Sequence, residues 1–268
     1  MRHELTVFLF TFGLFLGMLL FLEIGRRIAI RRMKEDAGAA GEGIGAVDGA
    51  VFALLGLLIA FTFSGASARF DTRRQLIVEE SNDIGTAYLR LDLLPADLQP
   101  ALRESFRRYL DARIEVYRKL PDIAAAKESL AKANELQKQI WRQAVGASRT
   151  EGAPLAASIL LLPALNAMID ITTTRTMASL MHPPTVVFVM LFGLALAASL
   201  LAGYGMTGSR VRRWFHMLGF ALVVAFAVYV IMDIEYPRFG LIRVDAFDQA
   251  LVDLRESMDR DIQSPGQK

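Results

Sequence analysis

The sequence predicts an all-α, polytopic membrane protein with four transmembrane helices and a helical water-exposed domain inserted between the second and third. Three observations predict it. The chain of 268 residues is 53% hydrophobic and 22% charged, a balance that fits neither an ordinary soluble domain nor a protein lying wholly in lipid. Its apolar residues cluster: runs 5–22, 49–68, 183–209 and 214–232 contain no Asp, Glu, Lys or Arg. Each has about eighteen residues or more, enough to cross a hydrocarbon core of roughly 30 Å at about 1.5 Å per residue. Residues 69–182, by contrast, are rich in Arg, Glu, Asp and Lys and carry helical periodicity broken at prolines. The expected divisions are 1–68 (spans one and two with a short hairpin), 69–182 (water-exposed helices), 183–232 (spans three and four) and 233–268 (a C-terminal segment packed on the water-exposed domain).

The first span is expected to be retained rather than cleaved as a secretory leader. Its positive charges, Arg26, Arg27, Arg31, Arg32 and Lys34, follow the apolar run instead of preceding it. The glycines of the next loop, Gly38, Gly41, Gly43 and Gly45, superficially resemble a phosphate-binding turn. Such a turn needs a strand before it, and here a membrane helix stands there. A hairpin between two membrane helices is the expected role.

No proline interrupts residues 47–94, and Phe70, Ile77, Ile84 and Leu91 recur every seven residues, so the second helix should continue out of the membrane into water. Leu94, Pro95 and Ala96 break it, and Asp97 is placed to cap the next helix. That helix should bury Leu102, Phe106, Tyr109, Leu110, Ile114 and Tyr117. A second break at Leu120 and Pro121, with Asp122 as cap, starts a helix ending near Gly146. A fourth water-side helix is expected from about Pro154, with Leu155, Ile159, Leu162, Leu165, Ile169 and Thr172 on one face. Pro183 and Pro184 then start the third span, where a missing amide donor costs little. Its small residues, among them Gly193, Ala195, Ala198, Ala202, Gly203 and Gly205, predict close packing against protein. The tail should be helical over 247–258.

Arg26, Arg27, Arg31, Arg32 and Lys34 after the first span, with Arg210, Arg212 and Arg213 after the third, place those loops in the cytoplasm by the positive-inside rule. The inserted domain then faces the periplasm of a bacterial inner membrane. Arg69, Arg73 and Arg74 beyond the second span oppose this bias.

From Leu57 the chain reads LLIAFTFSGASARFDTRRQLIVEE. The pattern Phe61, Ser64, Arg69, Phe70, Arg74, Leu76 resembles the second-helix signature of bacterial bestrophins. The blocks EESNDIGTAYLRLDLLP (79–95), ALNAMIDITTTR (164–175) and DIEYPRFGLIRV (233–244) are similar to those of bacterial membrane proteins described as bestrophin-like. The resemblance implies a homopentamer in which the second helices ring a central pore for small anions such as chloride. It also implies a cytosolic inserted domain, against the charge bias. The chain departs from bestrophins at Asp71, Thr72 and Arg73, which replace aromatic and acidic residues, and no counterpart of the bestrophin calcium-clasp acids is recognisable.

Ala53, Leu57 and Phe61 fall at intervals of four on one face of the second helix, with Ser64 one turn on. In a symmetric ring they would form an apolar constriction gating by dewetting, and Arg69, Arg73 and Arg74 would supply vestibule charges favouring anions. The alternative is that Leu57 and Phe61 pack on neighbouring helices and the arginines snorkel to headgroups. Asp170 with Arg175, and Asp233 with Arg238, are expected structural ion pairs.

The chain has no Cys, which removes disulfides and thiolate chemistry. Its histidines, His3, His182 and His216, lack metal-site spacing. Glu79 and Glu80 are adjacent and point to different helix faces, so no catalytic carboxylate pair forms there. A net charge of +2 without a basic face argues against nucleic acid. No enzyme activity, cofactor or metal is expected. The competing reading is a membrane-anchored helical sensor or scaffold that conducts no ions.

Overall fold

A computed structural model describes residues 2–35, 44–206 and 214–263. The glycines of the first hairpin at 38, 41 and 43, and Arg210, Arg212 and Arg213, lie outside the described residues. Among the described residues every regular element is helical: α1 (Arg2–Glu35), α2 (Ile44–Leu89), α3 (Gln99–Arg118), α4 (Ile123–Ser148), α5 (Leu162–Leu180), α6 (Thr185–Gly205), α7 (Trp214–Glu235) and α8 (Gln249–Gln263). Short 3-10 turns at Arg90–Leu93 and Asp245–Asp248, and a π turn at Ala157–Leu161, join them. Four helical stretches are long and apolar enough to cross a membrane.

The chain divides into two compact units, Met1–Arg69 with His182–Ile242, and Phe70–Met181 with Arg243–Lys268. The boundary in α2 falls where the apolar run ends and the first arginine appears.

The membrane unit is built on α1, α6 and α7. Leu14, Met18 and Leu22 of α1 are buried with Leu191, Ala195 and Ala198 of α6 and with Met217, Ala221, Val224 and Val228 of α7. The α1/α6 crossing is backbone-close. A Cβ on Gly25 would stand 2.0 Å from the Leu200 carbonyl oxygen, and one on Gly203 would stand 2.0 Å from that of Leu22. Only residues without side chains fit, the usual device where lipid supplies no hydrophobic drive between helices. Of the small residues expected to pack, Gly203 meets the neighbour, whereas Gly193 and Gly205 meet nothing. Side chains of α2 join this core through Leu55, flanked by Val51, Phe52, Leu58 and Ile59. Phe52 meets Phe220 of α7 edge-to-face at 6.1 Å.

The second unit has its own hydrophobic core. Phe106, Tyr109 and Leu110 of α3 are buried among Leu136 and Ile140 of α4, Leu165 and Met168 of α5, Leu251 and Met258 of α8, Ile84 and Tyr88 of α2, and Leu91 of the 3-10 turn that follows it. Each such side chain stabilises by about 1.5–3 kcal/mol relative to leaving it in water. Asp122 caps α4 by accepting the Ala125 amide at 3.1 Å. Asp97 does not cap α3. That helix begins one residue later than its reach allows, with Leu98 at the cap position, a proline in the first turn and the Gln99 side chain donating to the Leu94 carbonyl. The fourth water-side helix starts with the π turn before settling into α5 at Leu162, and Leu155 and Ile159 on its expected apolar face are exposed.

Candidate functional site

Within the membrane unit, α2 differs from its companions. Of its most apolar stretch only 6% is buried, against 28% to 39% for the other three candidate spans. The packed side of the helix is Val51, Phe52, Leu55, Leu58, Ile59 and Ala66. The opposite side is open: Ala53, Leu57, Phe61, Ser64 and Ala68 are all exposed, Leu57 by 50% and Phe61 by 67%. At 3.6 residues per turn these five form one continuous stripe. The four candidate constriction residues therefore share a face that the chain itself leaves uncovered.

The candidate vestibule arginines are held in quite different ways. Arg69 grips Glu235, the last residue of α7, with its Nε 2.9 Å from Oε1 and its Nη2 2.8 Å from Oε2. Glu235 is fully buried and also takes a hydrogen bond with His182 Nδ1 at 3.1 Å, while the His182 ring stacks on Tyr236 with centroids 4.4 Å apart. A two-pronged guanidinium–carboxylate contact of this kind is among the stronger polar interactions. Arg73 is buried in the second unit, where its Nε and Nη2 donate to the Ala178 and Met181 carbonyls at 3.1 and 2.8 Å. It closes the C-terminus of α5, satisfying carbonyls that the helix leaves unpaired. Arg74 pairs with Asp71 at 3.1 Å and lies over the Phe247 ring at 4.3 Å. Every one of the three has a partner within the chain. A long cation beside buried carbonyls or a carboxylate gains more from desolvated hydrogen bonds than from solvent.

The expected pair of Asp170 with Arg175 is rearranged. Arg175 binds Glu80 and, through Nη2 at 3.0 Å, Asp248. Asp170 lies exposed, its carbonyl accepting from Thr174. Five residues along a helix turn the two side chains away from each other, so Arg175 faces the core and Asp170 faces water. Glu80 is fully buried and is shared with Arg113, whose Nη2 donates to the Tyr117 hydroxyl at 2.7 Å. Burial acts to lower the Arg113 pKa, but Tyr117 and Glu80 outweigh it, so the guanidinium stays firmly charged. Nearby, Tyr109, Gln137 and Thr172 form a closed set of hydrogen bonds of 2.9–3.2 Å. Burial first, and then the Glu80 charge, pushes the Tyr109 phenol up to about 12, so it remains a neutral donor and acceptor.

Asp233 accepts the Leu241 and Ile242 amides at 3.0 and 2.8 Å and fills the space a side chain at Gly240 would need. It caps the chain leaving α7. Arg238 is half-buried and is not free of interactions. Asp48, in the second turn of α2, has one carboxyl oxygen buried without a hydrogen-bond partner.

Glu80, Arg113 and Glu235 escaped sequence reasoning, though each left a signal. Glu80 falls on the same face as Ile77, Ile84 and Leu91, a charge inside an apolar stripe. Glu235 closes an apolar span, where ionisable residues are costly without a partner. Among the described residues no group of three His, Cys, Asp or Glu side chains could hold a metal ion.

Residues 11–246 match the family model described as "Bestrophin-like domain". No curated protein matches the chain. Among solved structures, one variant of a bacterial bestrophin homologue from Klebsiella pneumoniae aligns with a TM-score of 0.68 at 14% identity, covering 92% of this chain and 98% of that one. A second variant of the same homologue aligns with a TM-score of 0.65 at 15% identity over 94% and 99%. A crystal structure described only as a membrane protein aligns at 0.60 with 16% identity over 90% and 98%. At these identities the likeness is one of fold.

Proposed function

We infer that this chain, which belongs to the Bestrophin-like family, works as an oligomeric membrane channel, a homopentamer whose α2 helices line a central path for small ions. One observation carries the reading. The α2 stripe Ala53, Leu57, Phe61, Ser64 and Ala68 is uncovered over its whole membrane length, while α1, α6 and α7 pack on one another. In a symmetric ring that stripe supplies an apolar constriction, Leu57 and Phe61, followed by a small polar step at Ser64, a geometry that resists wetting.

Passage of small anions such as chloride is what the resemblance to bestrophins implies. A second reading, cation passage, is favoured by a specific observation. Arg69, Arg73 and Arg74 are all engaged, Arg74 by Asp71, whereas Glu79 is exposed on α2 beyond the membrane. Unneutralised acids along a narrow path raise the local concentration of cations. The inserted unit is placed in the periplasm of a bacterial inner membrane on the loop charges.

Purified protein in liposomes tests the reading. Wild-type protein should pass ions, and the double variant Leu57→Ala, Phe61→Ala should pass them faster, because two water-excluding side chains are gone. The sign of the reversal potential in a salt gradient decides between anion and cation passage. An assembled oligomer that passes no ion, as wild type or as the double variant, leaves the sensor or scaffold reading in place of the channel.

A further inference from the structure

A crevice of about 230 Å³ opens within the membrane unit beside α2, the start of α6 and the end of α7. Its walls are apolar, formed by Leu58, Phe61, Val187, Phe188 and Ile231, and Arg69 stands at one end. The Thr62 hydroxyl, also on the wall, is turned back to the Leu58 and Ile59 carbonyls of its own helix and offers nothing to a ligand.

Arg69 is the group that gives the crevice a chemistry. Its Nε and Nη2 edge is occupied by Glu235, while Nη1 makes no hydrogen bond among the described residues. The Arg69 side chain is 30% exposed. Residue 65 is glycine, and a Cβ there would lie 3.3 Å from Nη1, a close contact that the guanidinium would meet by shifting slightly. A guanidinium presents two separate edges, so a carboxylate on one leaves two donors on the other for a second anion.

Depth adds a second constraint. Arg69 immediately follows the apolar run, at headgroup level, and Leu58 lies about 16 Å further along the helix toward the bilayer interior. An anion alone would leave the apolar walls unfilled, and a neutral hydrocarbon would leave Nη1 unpaired. A molecule with an anionic head and a hydrocarbon tail satisfies both, and the surrounding membrane supplies such molecules.

We propose that this crevice is a binding site for an anionic phospholipid, whose phosphate accepts from Arg69 Nη1 and whose acyl chain lies against Leu58, Phe61, Val187, Phe188 and Ile231. The Arg69–Glu235–His182 cluster then holds the guanidinium in register for the phosphate as well as joining α2 to α7. The site shares Phe61 with the proposed constriction, but its test reads no flux.

The full-length protein in a neutral detergent, titrated with phosphatidylglycerol or with phosphatidylcholine of the same chains and followed by native mass spectrometry, provides that test. Wild-type protein should bind one phosphatidylglycerol per subunit with a preference of about tenfold or more over phosphatidylcholine. Val187→Trp fills the crevice without touching the Arg69–Glu235 pair and should remove the bound lipid. Arg69→Gln should abolish the headgroup preference, and Arg69→Lys should retain part of it. Undiminished phosphatidylglycerol binding by a folded Val187→Trp protein would overturn the proposal. So would equal binding of the two lipids by the wild type, or saturation by inorganic phosphate that phosphatidylglycerol does not displace.

Discussion

Glu80 shows how far a single residue's role can lie from its neighbourhood in sequence. It stands beside Glu79, yet Glu79 is exposed while Glu80 has no exposed side-chain surface and bridges two guanidiniums from α3 and α5. The Arg175 guanidinium also lies 3.9 Å from the centre of the Tyr117 ring, so the cluster is enclosed by an aromatic wall. Two buried cations cannot remain without their shared anion. Glu80→Ala should therefore cost about 3–5 kcal/mol of the second unit's stability. Glu80→Gln, which keeps shape but removes charge, should cost nearly as much. Chemical denaturation of the purified protein, followed by the Trp141 fluorescence of α4, measures the loss; an unchanged midpoint would mean the cluster is dispensable to the fold.

Among the elements, α1 and α6 form the tightest contact in the membrane unit, and α2 the loosest. The first follows from Gly25 and Gly203, whose missing side chains let each helix reach the other's carbonyl oxygens. Such proximity favours weak Cα–H···O contacts and dispersion, which dominate where lipid and side chain are equally apolar. Gly203→Leu forces the helices apart and should destabilise the unit by about 3 kcal/mol or more, beyond the usual range for overpacking, because the obstacle is backbone. A lowered thermal midpoint with an altered size-exclusion profile is the expected outcome. Gly193→Leu, at a position that meets nothing, is the control and should leave both unchanged. The contrast with α2 is one of covering: its own chain leaves that helix almost wholly exposed.

At the scale of the whole molecule, orientation is the open property with a direct test. Arg26, Arg27, Arg31, Arg32 and Lys34 outnumber the cations at the far end of α2, and two of the latter, Arg69 and Arg74, are paired with acids in the structure. Arg26 and Arg27 are paired with Glu23 in turn, so the periplasmic placement of residues 70–181 rests on the number of loop cations alone and is a prediction. A periplasm-dependent phosphatase fused after Leu130 should be active, and a fluorescent reporter there should be dark; the reverse result would put the inserted unit in the cytosol, as the resemblance to bestrophins implies. Sequence alone determined the four apolar spans, the long second helix, the breaks at Pro95 and Pro121 and the buried face of α3, because each rests on periodicity or on backbone rules that act within a few residues. It also determined the common face of Ala53, Leu57, Phe61 and Ser64. The tertiary structure alone decided which charges meet. Arg175 finds Glu80 across 95 residues and Arg69 finds Glu235 across 166, while Arg73 turns from solvent to the end of α5. Periodicity states which way a side chain points, but a buried charge must find a partner wherever chain closure brings one within hydrogen-bond reach, and that distance is a property of the packed helices rather than of spacing along the chain.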